Sequence, residues 1–233
     1  MFLFVGMGWV LSNLINRVLS GIKITSLSTL AEAITVIHKT YSIPHIIITS
    51  VHLSKFSPSS TTTPSPNSLT VIGSTTRSDG SPRLFRVDVP VLDCYFSGTG
   101  DMFAALTVCR LREAVFAAGP NLRTTKSWVS PDEVTATDLP LAQSTVKVLA
   151  SMHSVLEKTL EARDVELRAI SADTTGTTAT EAGSEEERQK EDNLRRSKAA
   201  EVRLIRHTSF LREPTVMFEA KEWRKEDLPL SLQ

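Results

Sequence analysis

The residues best suited to chemistry lie in one short stretch, residues 93–105, with the sequence DCYFSGTGDMFAA. Two glycines, Gly98 and Gly100, come directly before a helical pattern. Glycine lets the backbone turn sharply and approach a ligand without a clash from Cβ. The first backbone N–H groups of a helix have no partner within it, and they lie at the positive end of the helix dipole. The pattern therefore predicts an anion-binding turn that could hold phosphate oxygens.

One carboxylate, that of Asp101, falls in the first turn of this helix. There it could accept a proton from an attacking hydroxyl, while the amides of Gly98 to Asp101 stabilise the charge of a phosphoryl group in transfer. Phosphoryl transfer depends mainly on alignment and charge stabilisation, so a weak base suffices. The alternative is structural, because Gly-x-Gly turns before helices are common and Thr99 or Asp101 could simply cap the helix. Residue types and spacing leave both interpretations open.

Composition excludes some classes of function. The 233 residues carry 26 Lys and Arg against 26 Asp and Glu, and only 6% of them are aromatic. A nucleic-acid-binding protein would show a basic excess and aromatic stacking residues, so we expect no nucleic-acid partner. Two cysteines, Cys94 and Cys109, are too few for a disulfide framework and lack zinc-ligand spacing. We expect them to be small buried hydrophobic residues in a cytoplasmic protein, and we predict no metal-ligating residue set.

The N-terminal segment, residues 1–11, is apolar throughout. It is too short to span a bilayer, which takes about 20 residues. It also lacks the basic start and the cleavage site of a signal peptide. These features favour a strand, or an apolar start altered by truncation, over a hydrophobic anchor, and we expect no membrane association.

The elements around the glycine turn alternate between strands and helices. Helical periodicity predicts long helices at residues 29–41, 98–119 and 139–170. Strand patterns occur at residues 45–49, 69–75, 83–89, 202–205 and 216–220, with an Asp-Gly turn between the second and third. Because residues 45–49 are apolar on both faces, they are typical of a parallel sheet covered by helices. The predicted fold is α/β, with a mostly parallel central sheet flanked by helices.

Two segments are too polar or too low in complexity to contribute to a core. Residues 57–68 are rich in Ser, Thr and Pro, and residues 171–192 combine a Thr/Ala/Gly-rich run with dense charge. Both are predicted to be flexible loops. We expect the rest of residues 1–233 to form a single domain.

The sequence SGTGD followed by MFAA resembles the anion-hole and catalytic-base signature of the ribokinase-like small-molecule kinases. Among these, the chain is similar to the pyridoxal kinase family in the order of its segments. The matching segments are LSGIKI at 19–24, IIITS at 46–50, LTVIGS at 69–74, FRVDVPVLDCYFSGTGDMFAALTV at 85–108 and VRLIRHTSFLREPTVMFEAKE at 202–222. The similarity covers residues 14–170 and 202–222. It implies the C-terminal part of a ribokinase-like fold that lacks an N-terminal portion.

The resemblance also assigns roles to individual residues. Asp101 would be the base that deprotonates the hydroxymethyl group of a vitamin B6 substrate. The residues around the transferred γ-phosphate would be Gly98, Thr99 and Gly100. Thr49 and Ser50, at the end of the IIITS strand, would contact the nucleotide near its phosphates. The structural alternative for these last two is that they end a strand and bond local backbone.

The reaction implied by the resemblance is ATP-dependent phosphorylation of the 5′-hydroxymethyl group of pyridoxal, with ATP and Mg²⁺ as cofactors and pyridoxal 5′-phosphate as product. Pyridoxine and pyridoxamine would be the other substrates, and a cytoplasmic homodimer the expected assembly. One departure concerns the metal. Where the family has acidic residues before LSG, this chain has Ile15 and Arg17, and a positive charge repels Mg²⁺. The alternative is a non-catalytic fragment that retains part of a nucleotide-binding site or a dimerisation surface.

Overall fold

The computed structural model describes the backbone of residues 2–5, and it describes residues 18–51, 68–174, 189–190, 193–195, 198–199 and 201–223. The chain forms two compact units. The first comprises Met1–Val91, Ala104–Leu149 and Val216–Gln233, and the second comprises Leu92–Phe103 and Ala150–Thr215.

The first unit contains a five-stranded sheet. Its strands are β1 (Phe2–Val5), β2 (His45–Val51), β3 (Ser68–Thr76), β4 (Pro82–Pro90) and β5 (Lys221–Glu222), in the spatial order β1-β2-β3-β4-β5. Only β1 and β2 pair in parallel, and the other three pairs are antiparallel. The α/β class is confirmed, but the predicted mostly parallel sheet is wrong. Apolar residues on both faces of β2 indicate that both faces are covered. They do not indicate whether the neighbouring strands run parallel or antiparallel to β2.

The β3–β4 hairpin follows from its turn residues. Arg77 N–H donates to the Ser81 carbonyl at 2.8 Å, and Gly80 N–H donates to the Arg77 carbonyl at 3.1 Å. The Asp79 carboxylate accepts from Ser81 N–H at 2.8 Å, as Asp side chains do in turns. The hairpin predicted at residues 69–75 and 83–89 is confirmed.

Helix α1 (Leu27–Tyr41) packs against this sheet. Its start is fixed by a capping box, in which Ser26 and Thr29 each bond the other's backbone N–H at 3.0–3.1 Å. Its apolar side chains recur at helical spacing, and Leu30, Ile34 and Ile37 are at most 1% exposed. The buried core of this unit joins these side chains to those of β2, β3 and β4. The predicted helix at residues 29–41 is confirmed.

A buried arginine fastens a loop to the sheet. Arg83 on β4 is 1% exposed, and burial lowers its pKa. Its guanidinium donates to four backbone carbonyls, those of Thr76 at 3.1 Å, Ser130 at 2.9 Å, Pro131 at 2.6 Å and Val134 at 3.3 Å. Hydrogen bonds to charged groups are stronger than neutral ones, so this cluster fixes residues 130–134 against β4.

The same loop is strained next to this anchor. Ser127 and Trp128 have φ angles of 56° and 57°, a left-handed conformation that is unfavourable for a bulky side chain. The His45 Nε2–H donates to the Ser127 carbonyl at 2.8 Å, and the Ser78 N–H donates to the Asp132 carboxylate at 3.0 Å. These contacts from β2 and from the hairpin turn hold the strained conformation in place.

Four further helices of the described chain are α2 (Thr99–Ala117), α3 (Pro120–Thr124), α4 (Pro140–Thr174) and α5 (Thr208–Arg212), with short 3₁₀ turns at Lys126–Trp128 and Ile205–His207. Residues 18–20, 189–190, 193–195 and 198–199 are also helical. The helices predicted at 98–119 and 139–170 are confirmed. Cys109 lies on the exposed side of α2 and Cys94 is only partly buried, so the prediction that both are buried is wrong.

Other predictions have mixed outcomes. Phe2–Val5 is a strand, as the apolar N-terminus predicted, and residues 1 and 6–17 lie outside the described residues. Most of the two predicted loops also lies outside them, but Ser68 begins β3 and residues 171–174 continue α4.

Two strand predictions near the C-terminus are wrong. Residues 202–205 form a loop that enters a 3₁₀ turn, and residues 216–220 are irregular before the two-residue β5. The N–H of Arg203 donates to the Thr159 hydroxyl at 3.2 Å, so it is bonded to a side chain on a helix. An alternating apolar pattern cannot reveal such a partner.

Candidate phosphate-binding turn

The glycine turn lies at the start of α2 in the second unit. Gly98 has a φ of +84°, a conformation that favours glycine. The helix begins at Thr99, and the Met102 N–H donates to the Gly98 carbonyl at 3.2 Å. The N–H groups of residues 99–101 precede this first helical bond, so they have no partner within the helix. Three successive amides are therefore presented at the positive end of the helix dipole.

The space around this turn is open. A Cβ atom added to Gly98 or to Gly100 would meet no atom within 4 Å. Asp101 lies in the first helical turn and is exposed, and Thr99 is half-buried. Within the described part of the chain, neither Thr99 nor Asp101 makes a side-chain hydrogen bond that would cap the helix. The geometry therefore gives no support to a purely structural cap, and it leaves the amides and the carboxylate accessible to a ligand.

Buried side chains and a β-bridge hold the turn from both sides. Phe96, Met102 and Phe103 are at most 9% exposed. Ser97 pairs with Glu201 in an isolated parallel bridge. Sequence reasoning missed this bridge, and no sequence signal marks it, because Glu201 is far away along the chain. The turn thus combines open space at its two glycines with a fixed support.

Thr49 and Ser50 lie in the first unit, at a β-bulge in β2. Ile48 pairs with Ile72 and Val51 pairs with Thr70, so β2 has one residue more than β3 across this interval. Ser50 has a φ of 60°, which is a left-handed conformation. Bulges and left-handed non-glycine residues re-aim side chains and are frequent next to functional sites. The structure brings Gly98, Thr99, Gly100 and Asp101 together on one turn, and it places Thr49 and Ser50 together on this bulge.

Two buried histidines in the first unit have structural surroundings. His45 Nδ1 lies 3.0 Å from the Thr75 hydroxyl, and burial lowers the pKa of His45 to about 4. His38 lies 2.5 Å from the Ile43 carbonyl and 2.7 Å from the Ser74 hydroxyl, and burial lowers its pKa as well. A carbonyl oxygen can only accept, so the ring nitrogen that faces it carries a hydrogen in each histidine. Because both nitrogens of each ring are engaged, these histidines serve packing.

Within the described residues, no group of three or more His, Cys, Asp or Glu residues could hold a metal ion. Ile15 and Arg17, which stand where acidic residues were expected, lie outside the described residues. No described helix is both long and apolar enough to cross a membrane.

Comparisons with known proteins point to one group of enzymes. No protein-family profile matches the chain. A Schizosaccharomyces pombe protein that carries the name putative pyridoxal kinase is 26% identical over 145 residues, which is 62% of this chain and 39% of that protein. The Leishmania donovani pyridoxal kinase in complex with ADP and pyridoxamine superposes with a TM-score of 0.52 at 19% identity, and the match covers 90% of this chain and 49% of that chain.

A third relative agrees with these two. The Plasmodium falciparum PdxK structure with AMP-PNP and PL superposes with a TM-score of 0.53 at 13% identity, and the match covers 96% of this chain and 50% of that chain. The chain therefore has an α/β ribokinase-like fold, the fold of a class of small-molecule kinases. Within that class it resembles the pyridoxal kinases, which are phosphate-transferring enzymes, and it spans half or less of the length of the relatives that it matches.

Proposed function

We propose that this chain is the nucleotide-side part of an ATP-dependent pyridoxal kinase, in which Asp101 and the turn before it carry out phosphoryl transfer. The observation that supports this most directly is the open, left-handed turn at Gly98, with three amides that have no partner within the helix and one exposed carboxylate beside them. Such an arrangement binds an anion and supplies a base at the same place.

In the proposed reaction, Gly98, Thr99 and Gly100 form the anion hole, and the amides of Thr99, Gly100 and Asp101 donate to oxygens of the terminal phosphate. Their dipoles are already oriented, so they stabilise negative charge in the transition state without reorganising. The Asp101 carboxylate accepts the proton of the attacking hydroxyl group as the new P–O bond forms and the bond between the terminal phosphorus and the departing ADP breaks. Thr49 and Ser50 are proposed to contact the nucleotide near its phosphates. Both residues lie on a β-bulge, which changes the direction of side chains relative to a regular strand, and this position fits that role.

The proposed phosphate donor is ATP, with Mg²⁺ brought in on its phosphate oxygens. The nucleotide supplies charge neutralisation through that ion, and no step is assigned to a metal ligand of this chain. Structures of the neighbours contain ADP or AMP-PNP, which agrees with a nucleotide at this fold. The proposed acceptor is the 5′-hydroxymethyl group of pyridoxal, since neighbours are complexes with pyridoxamine and pyridoxine. A homodimer is proposed from the resemblance alone.

The decisive experiment is a comparison of Asp101→Asn with the unaltered chain. Purified chain is incubated with ATP, Mg²⁺ and pyridoxal, and the phosphorylated vitamer is quantified by chromatography. Loss of a general base lowers turnover by about 10²–10⁴-fold. The matched control is Asp93→Asn, because Asp93 is also exposed and lies in the same stretch. Its turnover is expected to equal that of the unaltered chain.

Two outcomes would reject the proposal. Turnover that survives Asp101→Asn unchanged would show that Asp101 is not the base. Folded chain that binds ATP without forming product would instead favour the non-catalytic alternative, a fragment with a partial nucleotide-binding site.

A further inference from the structure

Residues 201–203 connect the glycine turn before α2, which we propose to bind phosphate (the phosphate-binding turn, residues 97–101), to helix α4 within the second unit. At one end, Glu201 pairs with Ser97, the residue directly before Gly98. At the other end, the backbone N–H of Arg203 donates to the Thr159 hydroxyl at 3.2 Å. Thr159 is fully buried and in turn donates to the Val155 carbonyl at 2.8 Å. Residues 201–203 thus run from the turn to a fixed point on the helix.

The side chain of Arg203 adds a second attachment to the same helix. Its guanidinium donates to the Glu166 carboxylate at 2.5 Å, and the two side chains are 21% and 49% exposed. Thr159 and Glu166 are two helical turns apart, so they lie on the same face of α4. Glu166 and residues 202–206 also line a cavity of about 510 Å³. Thr159 therefore holds the backbone of Arg203, and Glu166 holds its side chain.

We propose that Arg203, paired with Glu166, is a positioning residue for the phosphate-binding turn. The ion pair holds residues 201–203 on α4, and the Glu201 bridge then keeps Ser97 in place. Since Ser97 precedes Gly98, its position sets the direction of the amides of residues 99–101. Arg203 acts through this bridge and does not contact phosphate. The inference rests on the proposed function only in naming phosphate as the ligand of the turn.

Whether Arg203 holds the backbone of the turn is tested without a ligand. Hydrogen–deuterium exchange followed by mass spectrometry is measured for a peptide covering residues 97–103. Removal of a partly exposed ion pair in Arg203→Ala is expected to speed exchange of these amides by about two- to fivefold. Arg203→Lys should restore slow exchange, and so should the charge swap that combines Glu166→Arg with Arg203→Glu. Arg168→Ala, an exposed position on the same helix, is the matched control and should leave exchange unchanged.

The functional part is tested by the ratio of ATP affinity to ADP affinity. The turn is proposed to contact the terminal phosphate, so Arg203→Ala should lower this ratio by about two- to fivefold and leave ADP affinity unchanged. A merely structural role would weaken both nucleotides equally. Should Arg203→Ala fail to fold, Glu166→Gln removes the charge with little change in volume and is measured in its place.

The outcomes separate the two proposals. If the unaltered chain binds ATP no better than ADP, the proposed contact of the turn with the terminal phosphate fails, while the exchange experiment still decides whether Arg203 holds the turn. If the unaltered chain prefers ATP and Arg203→Ala keeps the same preference, the positioning role fails and the proposed function stands. Unchanged exchange in Arg203→Ala would also overturn the positioning role.

Discussion

Alanine substitutions at Gly98 and Gly100 are expected to separate the folding requirement of the turn from its ligand contact. Gly98 has a φ of +84°, and a left-handed conformation costs a non-glycine residue about 1–2 kcal/mol. Gly100 is the second residue of α2, where replacing glycine by alanine gains at most about 0.5–1 kcal/mol. Neither new methyl group meets an atom within 4 Å, so packing adds nothing to either value. Gly98→Ala should therefore be less stable than Gly100→Ala by about 2 kcal/mol.

Nucleotide binding should respond differently. The methyl group of Gly100→Ala would occupy the open space beside the amides that we propose to bind phosphate. Loss of one or two hydrogen bonds to a charged group lowers ATP affinity by about tenfold or more. Gly100→Ala is thus expected to combine higher stability with weaker ATP binding, whereas Gly98→Ala should lose both.

Urea denaturation measures the free energy of unfolding, and isothermal titration calorimetry measures ATP affinity. Gly119→Ala is the matched control, because Gly119 also has a positive φ, of 115°, and open space around it, but lies beyond the far end of α2. It should lose stability as Gly98→Ala does and keep ATP affinity. Unchanged ATP binding in Gly100→Ala would refute the contact between phosphate and backbone, and equal stability of the Gly98 and Gly100 variants would refute the left-handed hinge.

Three further predictions concern the first unit, and each is followed by urea denaturation. Burial lowers the pKa of His45 to about 4 in the folded chain, whereas histidine in the unfolded chain has a pKa of about 6.5. The unfolded chain therefore binds more protons between these two pH values, and about 3 kcal/mol of stability that is present above pH 6.5 should be lost as the pH falls to 4. An unfolding free energy with the same pH dependence in His45→Asn would contradict this. Arg83→Met leaves four carbonyl oxygens without their donor and should cost about 3 kcal/mol or more, and wild-type stability would show that these bonds contribute nothing net. Gly73→Ala places Cβ within 2.0 Å of the Phe85 ring and should cost about 1–3 kcal/mol, part of which Phe85→Leu should recover; no recovery would locate the strain elsewhere.

The features that could be predicted from the sequence are local ones. Helix α1 follows from apolar side chains at helical spacing, and the β3–β4 hairpin follows from its Asp79-Gly80 turn. The start of α2 directly after Gly98 was also evident, because a glycine pair before a helical pattern marks both the turn and the helix. In each case the determining residues lie within a few positions of one another.

The features that could not be predicted depend on distant partners. The direction of the neighbours of β2 leaves no trace in its apolar residues, so the sheet was predicted to be mostly parallel. The bulge at Thr49 and Ser50 arises from the register with β3, while the residues themselves continue a strand pattern. Arg83 has the sequence appearance of an exposed charge, and only the loop that contacts it makes it a buried anchor. The Arg203–Glu166 pair likewise joins two remote segments.

The strand order of the sheet affects how fast the sheet folds and in which order its strands form. Every strand pairs with the strand that precedes or follows it along the chain, from β1 to β5. The β3–β4 ladder closes over a turn of a few residues, so its loop-closure entropy is small and it can form within microseconds. Strand β2 can then add to one side of that hairpin and β5 to the other. Mutations in the hairpin are therefore expected to slow folding more than mutations elsewhere in the sheet. Val71 and Val87, which are cross-strand neighbours, are suitable positions to test this.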